Sequence, residues 1–197
     1  MGRQPEGDRP CSSGHPIRGS CCRRGTPSRR RGAGSSLGQR RTDEAIVALD
    51  RLDLVGVRRD RLRIGDGEVN GQREQLATAI AKRLEPGSLC VAPWSGDGHP
   101  DHDAVGEVAA EVTASAGATL IGYLVWAWHW ANPAGSDLPW AACRRLDLSP
   151  RQRARKRWAT GSFVSQTRVQ VAGPGGLAVL PDPVLRRLWQ PWEVFVT

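Results

Sequence analysis

Residues 88–104 read Ser88-Leu89-Cys90-Val91-Ala92-Pro93-Trp94-Ser95-Gly96-Asp97-Gly98-His99-Pro100-Asp101-His102-Asp103-Ala104. A five-residue apolar run (Ser88–Ala92) has the length and composition of a strand buried on both faces. A Gly-punctuated loop, Pro93 to His99, follows it. Pro100 suits the first position of a helix, where a missing N–H costs nothing, and Asp101 and Asp103 fall in the first turn, where the helix dipole favours anions. The segment therefore reads strand, loop, helix, with the helix running from Pro100 to Ser115 and closed by Gly117.

On either side the pattern repeats. Upstream, an amphipathic helix carries Ile46, Leu49 and Leu52 behind a possible Thr42 N-cap. A short strand is expected at Arg61–Ile64, stopped by Gly65-Asp66-Gly67, then a helix at Gln72–Leu84 ended by Pro86-Gly87. Downstream, Thr119–Trp130 reads as the next strand, Pro150–Gln166 as a basic helix, Gly173–Gly176 as a turn, Pro183–Trp189 as a short helix and Trp192–Val196 as a last strand. The basic helix start (Arg151, Arg153, Arg155, Lys156, Arg157) is read as a solvated face rather than a phosphate site. Alternating strands and helices at this spacing predict an α/β domain around a mostly parallel sheet.

Charge divides the 197-residue chain. The net of +8 comes from 28 basic against 20 acidic residues, and residues 1–41 hold ten arginines against Glu6 and Asp8. From residue 42 onward, 18 basic residues balance 18 acidic ones. The first segment has no aromatic residue and no valine, and cannot bury enough apolar surface to offset its ordering entropy. It lacks the apolar core of a secretory signal; its Arg- and Ser-rich composition fits a transit peptide, but no amphipathic period is visible. No run approaches the roughly 18 apolar residues of a membrane span. Cys11, Cys21 and Cys22 lie in this segment, leaving Cys90 and Cys143, too few for a disulfide framework. The expectation is a disordered segment over residues 1–36 and a soluble, reduced, cytoplasmic domain over 37–197.

His99 and His102 stand three apart across the loop and first helical turn, so both can face one point beyond the carboxyl end of the Ser88–Ala92 strand, where open α/β sheets bind ligands. One imidazole could ligate a metal while the other works on substrate, with Asp101 fixing a tautomer. Equally, Asp97, Asp101 and Asp103 could simply cap a helix beside two exposed histidines. His129 is read as a hydrogen-bonded core or rim residue. Trp126, Trp128 and Trp130, on one face of the expected strand, are packing residues or, through Trp128, a platform for a sugar.

Gly96-Asp97-Gly98-His99-Pro100-Asp101-His102, with Ala104, Gly106 and Ala109-Ala110, resembles the second signature of the PIG-L/LmbE-like metal-dependent deacetylases. Arg41-Thr42-Asp43-Glu44 is similar to that family's Arg-x-x-Glu helix, and Leu62–Gly67 to its strand and Asp-Gly turn. The Val125–Pro133 segment looks like a Trp-rich strand of one subgroup, and Lys156 through Ser165-Gln166 and the Pro191–Phe195 ending also match. The resemblance covers Leu37 to Thr197, about four-fifths of the chain. It implies a Rossmann-like, LmbE-like fold and zinc-dependent removal of acetyl from an N-acetylated amino-sugar conjugate, a small-molecule partner. His102 would be a zinc ligand. His99 would stabilise the oxyanion or protonate the leaving amine, and Asp101 would orient His99. Arg41 and Asp66 would meet the sugar conjugate.

One departure stands against the match. The family's first signature, a hydrophobic strand ending in His-Pro-Asp-Asp-Glu, supplies two zinc ligands and the general base, and this sequence does not contain it. His15-Pro16 is followed by Ile17-Arg18. The expectation is a domain lacking its first strands, with an unpaired apolar sheet edge and impaired activity. Residues 1–36 would then be out-of-frame translation joined to the true frame near Leu37, which translation of the upstream nucleotides in all frames would test. The alternatives are a non-catalytic sugar-binding relative, or a nucleic-acid binder acting through its basic segment. The last would give only salt-sensitive, non-specific attraction.

Overall fold

A computed structural model describes residues 36–168 and 178–197. Most of the arginine-rich segment, with His15, and the expected Gly173–Gly176 turn lie outside these.

Helix α1 (Leu37–Arg51) starts earlier than expected, because Ser36 Oγ accepts from Gln39 N at 3.2 Å and takes the N-cap role. Thr42 sits inside the helix and donates to Gly38 O. The buried face of α1 is Glu44 and Ala48, while Ile46 remains half exposed. The strand expected at Arg61–Ile64 does not form. Arg63 sits at φ +59°, a left-handed conformation that breaks an extended run.

A turn of 3-10 helix leads into α2 (Arg73–Ala81), whose Leu76 is buried. Strand β1 (Leu89–Pro93), helix α3 (Pro100–Ala116) and strand β2 (Thr119–Tyr123) form one strand–helix–strand unit, with β1 and β2 parallel in the register Leu89 to Thr119. Gly117 ends α3 at φ +65°. The chain then forms a short helix α4 (Ala127–Trp130), strand β3 (Cys143–Asp147), helices α5 (Pro150–Thr160), α6 (Val164–Thr167) and α7 (Asp182–Leu188), and strand β4 (Trp192–Val196). The single basic helix expected at Pro150–Gln166 is thus broken at Gly161–Phe163.

The fold is α/β, a four-stranded sheet in the order β1-β2-β4-β3 flanked by helices. Among the described residues parallel pairing is confined to β1–β2, the pair joined by a crossover helix. β4 runs antiparallel to both β2 and β3. Among the described residues β1 is an edge. It is not buried on both faces as expected: Leu89 is 60% and Val91 52% exposed, so the apolar run meets solvent. Leu124, Ala127 and Leu138 form a buried cluster beyond the end of β2, packed by Trp94, Trp128 and Val194. No helix among the described residues is long and apolar enough to cross a membrane.

Candidate active site

The loop after β1 is held close to the chain that follows β2. Trp94 N donates to Tyr123 O at 2.9 Å, continuing the strand pairing by one residue. A Cβ at Gly106 would lie 2.6 Å from Pro93 O and Ser95 N, so glycine lets the first turns of α3 press on this loop. Gly98 adopts φ +81°, where a side chain would also meet the Trp130 indole.

His99 is the N-cap of α3; its Nδ1 accepts from Asp101 N at 3.2 Å. Nδ1 is therefore the unprotonated nitrogen, and Nε2 carries the hydrogen. The His102 ring stacks on that of His99, with centroids 4.5 Å apart and planes 28° apart. The two histidines thus meet as their spacing predicts.

His102 has the opposite arrangement. Its Nδ1 lies 2.6 Å from Asp97 Oδ2, which also accepts from Trp126 N at 2.6 Å. Asp97 Oδ1 accepts from Val125 N (2.8 Å) and Ala127 N (3.0 Å). With both oxygens already accepting, His102 Nδ1–H is the donor in this contact, so in the neutral ring Nε2 carries the lone pair. The Asp97 side chain is fully buried, and its main-chain oxygen accepts from Trp130 Nε1.

This grip accounts for the largest correction to the expected fold. Residues 124–130 do not extend β2. Asp97 gathers three successive backbone N–H groups and caps a turn into α4. Trp126, Trp128 and Trp130 consequently part company. The Trp126 ring meets His99 edge-on at 5.8 Å and stacks on His129 at 4.2 Å, Trp128 lines an apolar cavity, and Trp130 reaches Asp97. His129, read as hydrogen-bonded, has a buried Nε2 without a partner. Burial first, then the Arg187 charge, lowers its pKa, against an opposing pull from Asp97. Burial, aided by the Asp97 charge, pushes the Tyr123 hydroxyl up.

The Asp101 carboxylate turns away from the His99 ring. It accepts from Gly67 N (2.7 Å) and Val69 N (3.2 Å), pinning the Asp66-Gly67 turn to the start of α3. Asp66 is exposed beside that contact. Arg41 faces Gln166; with that amide turned so that both of its polar atoms are satisfied, its oxygen accepts from Arg41 Nε (2.9 Å) and Nη2 (3.1 Å). Next to it, Glu44 is buried against Ser165 N and Oγ. Asp97 is the residue that sequence reasoning missed. In the sequence it stands between two glycines, five residues before His102, and reads only as a helix-capping candidate and as part of the signature stretch.

A catalytic zinc takes about three protein ligands. His102 Nε2 offers one, with Asp97 behind it in the manner of a carboxylate–histidine–metal arrangement. No group of three His, Cys, Asp or Glu side chains among the described residues could hold a metal ion. The described donor set therefore does not fit such a zinc.

A family model described as PIG-L, GlcNAc-PI de-N-acetylase, matches residues 8–113, just over half of the chain. The chain belongs to the PIG-L family. The match includes Arg41, Asp66, Asp97, His99, Asp101 and His102 and ends within α3, so the Trp126–Trp130 turn lies beyond it. It begins within the arginine-rich segment. No curated protein and no solved structure matches the chain. As a PIG-L member, the chain carries a deacetylase-type α/β domain with its paired histidines at the carboxyl end of the parallel strands.

Proposed function

We propose that this chain carries the substrate-handling part of a metal-dependent amide hydrolase of the PIG-L type, directed at the acetyl group of an N-acetylated amino-sugar conjugate, and that as it stands its turnover is impaired. The observation behind this reading is the opposite state of two stacked imidazoles. His99 presents an N–H at Nε2 and His102 presents a lone pair.

A fixed N–H donor suits the carbonyl oxygen of an acetamide, whose negative charge grows as the carbon becomes tetrahedral. The same proton could go to the departing amine. The Trp126 ring stands beside His99, with centroids 5.8 Å apart. His102 Nε2 is suited to be one ligand of the zinc expected from the family. The further ligands are not offered by the described residues, so no step is assigned to the metal. Asp66, exposed beside the turn that Asp101 holds, is a candidate for the sugar hydroxyls; Arg41 and Trp128 are further substrate candidates. The proposed partner is a small molecule met in the cytoplasm, with no role for nucleic acid or membrane.

A second reading, a sugar-binding relative without catalysis, is favoured by the lack of a three-ligand cluster among the described residues. One experiment separates the two. The full chain is incubated with an N-acetylglucosamine conjugate and zinc while amine release and saturation-transfer NMR are followed. The first reading expects saturable binding weakened by His99→Ala, with amine release far below about 1 s⁻¹, the low end of ordinary turnover. It also expects that release to rise with zinc and vanish in His102→Ala. Binding with no zinc-dependent release would favour the second reading, and absence of binding would overturn both.

A further inference from the structure

The 124–128 turn serves two surroundings. Its backbone N–H groups at 125–127 face Asp97, whereas the side chains of Leu124, Ala127 and Trp128 line a separate cavity of about 360 Å³. Neither His99 nor His102 lines it. Trp140 and Trp192 bring two more indoles, so three aromatic rings border one space. A cavity of this size suits a small ligand.

Among the described residues Arg187 is the only charged one in the lining. Its Nη1 donates to Trp128 O at 2.7 Å, which anchors the guanidinium to the wall. Its Nε and Nη2 hydrogens meet no acceptor and its charge meets no carboxylate among the described residues. A half-anchored, unneutralised cation beside apolar surface is complementary to an anion whose remaining body is apolar. Three indoles favour a flat aromatic body over a flexible chain, because aromatic pairs gain from stacked and edge contacts beyond simple burial.

We propose that this cavity is a binding site for a small aromatic monoanion, with its rings among Trp128, Trp140 and Trp192 and its carboxylate, sulfonate or phosphate-type group on Arg187. The inference uses neither histidine, and it gives Trp128 a role other than the sugar platform proposed above.

The test compares two fluorescent probes of nearly the same aromatic body on the full chain: 8-anilinonaphthalene-1-sulfonate, an anion, and neutral N-phenyl-1-naphthylamine. The anion is expected to bind one to one and at least tenfold more tightly than the neutral probe. Arg187→Gln should erase that preference, and Arg187→Lys should retain most of it. Ala131→Phe, which fills the cavity, should abolish binding of both probes. Circular dichroism checks that each variant is folded, and the Arg187 pair carries the test if Ala131→Phe is not. Octanoate should displace the anion less well than 2-naphthoate. Absence of binding, several equivalent sites, a preference that survives Arg187→Gln, or octanoate competing as well as 2-naphthoate would overturn the proposal.

Discussion

Asp97 Oδ2 lies 2.6 Å from His102 Nδ1, and the same carboxylate collects the backbone N–H groups of Val125, Trp126 and Ala127. One buried side chain therefore fixes a tautomer and joins the two loops that follow β1 and β2. Replacing it tests both roles. Asp97→Ala leaves three backbone donors and an imidazole without their acceptor, and should cost about 3–5 kcal/mol in urea unfolding. Asp97→Asn should cost less but turn its amide N–H groups either toward Trp126 N and His102 or toward Val125 N and Ala127 N. In ¹⁵N NMR, the native chain should show a protonated Nδ1 at His102 and a protonated Nε2 at His99, with only the His102 pattern changing in Asp97→Asn. Unchanged His102 signals would separate Asp97 from the tautomer.

His129 supplies a pH signature. Its folded-state pKa is lowered, by burial first and by Arg187 second. The unfolded chain then binds a proton more readily than the folded one. Stability is complete above the ordinary imidazole value of about 6.5 and is lost as pH falls through it. The drop in melting temperature between about pH 7.5 and 5.5 should therefore be smaller in His129→Phe than in the native chain. Because Nε2 has no partner, the substitution should cost less than about 1.5 kcal/mol at pH 7.5. An equal or larger drop would contradict the assignment.

Strand β1 is an edge with Leu89 and Val91 facing solvent. Open edges of this kind template pairing with other chains. Concentration-dependent association is expected by light scattering, and Val91→Lys should suppress it while changing stability by only about 0.5 kcal/mol. Association unaffected by Val91→Lys would place the sticky surface elsewhere.

The parts of the fold legible in the sequence were those whose signals are local. α3 carries Pro100 at its start, Asp101 and Asp103 in its first turn and Gly117 at its end, and it forms almost where expected. β4 was likewise readable from Trp192–Val196. Residues 124–130 alternate as a strand should, yet a carboxylate 28 residues before Val125 captures their backbone and turns them into a helix. β3 was not anticipated, because Arg144 and Arg145 interrupt any apolar alternation and pairing with β4 alone holds it. In the site, the spacing of His99 and His102 foretold their meeting. The partner of His102 did not follow from spacing, because Asp101 is adjacent in sequence and Asp97 five residues away, yet tertiary packing buries Asp97 against the ring.

We propose that His102 offers a metal-competent nitrogen whose fellow ligands are not found among the described residues, and that this PIG-L chain is therefore impaired as a hydrolase. Zinc stoichiometry of the purified full chain, at about 1 μM free zinc, tests this most directly. The account predicts substoichiometric zinc, with the small bound fraction falling in His102→Ala, in line with a site short of the usual three ligands. One zinc per chain, lost in His102→Ala, would contradict it.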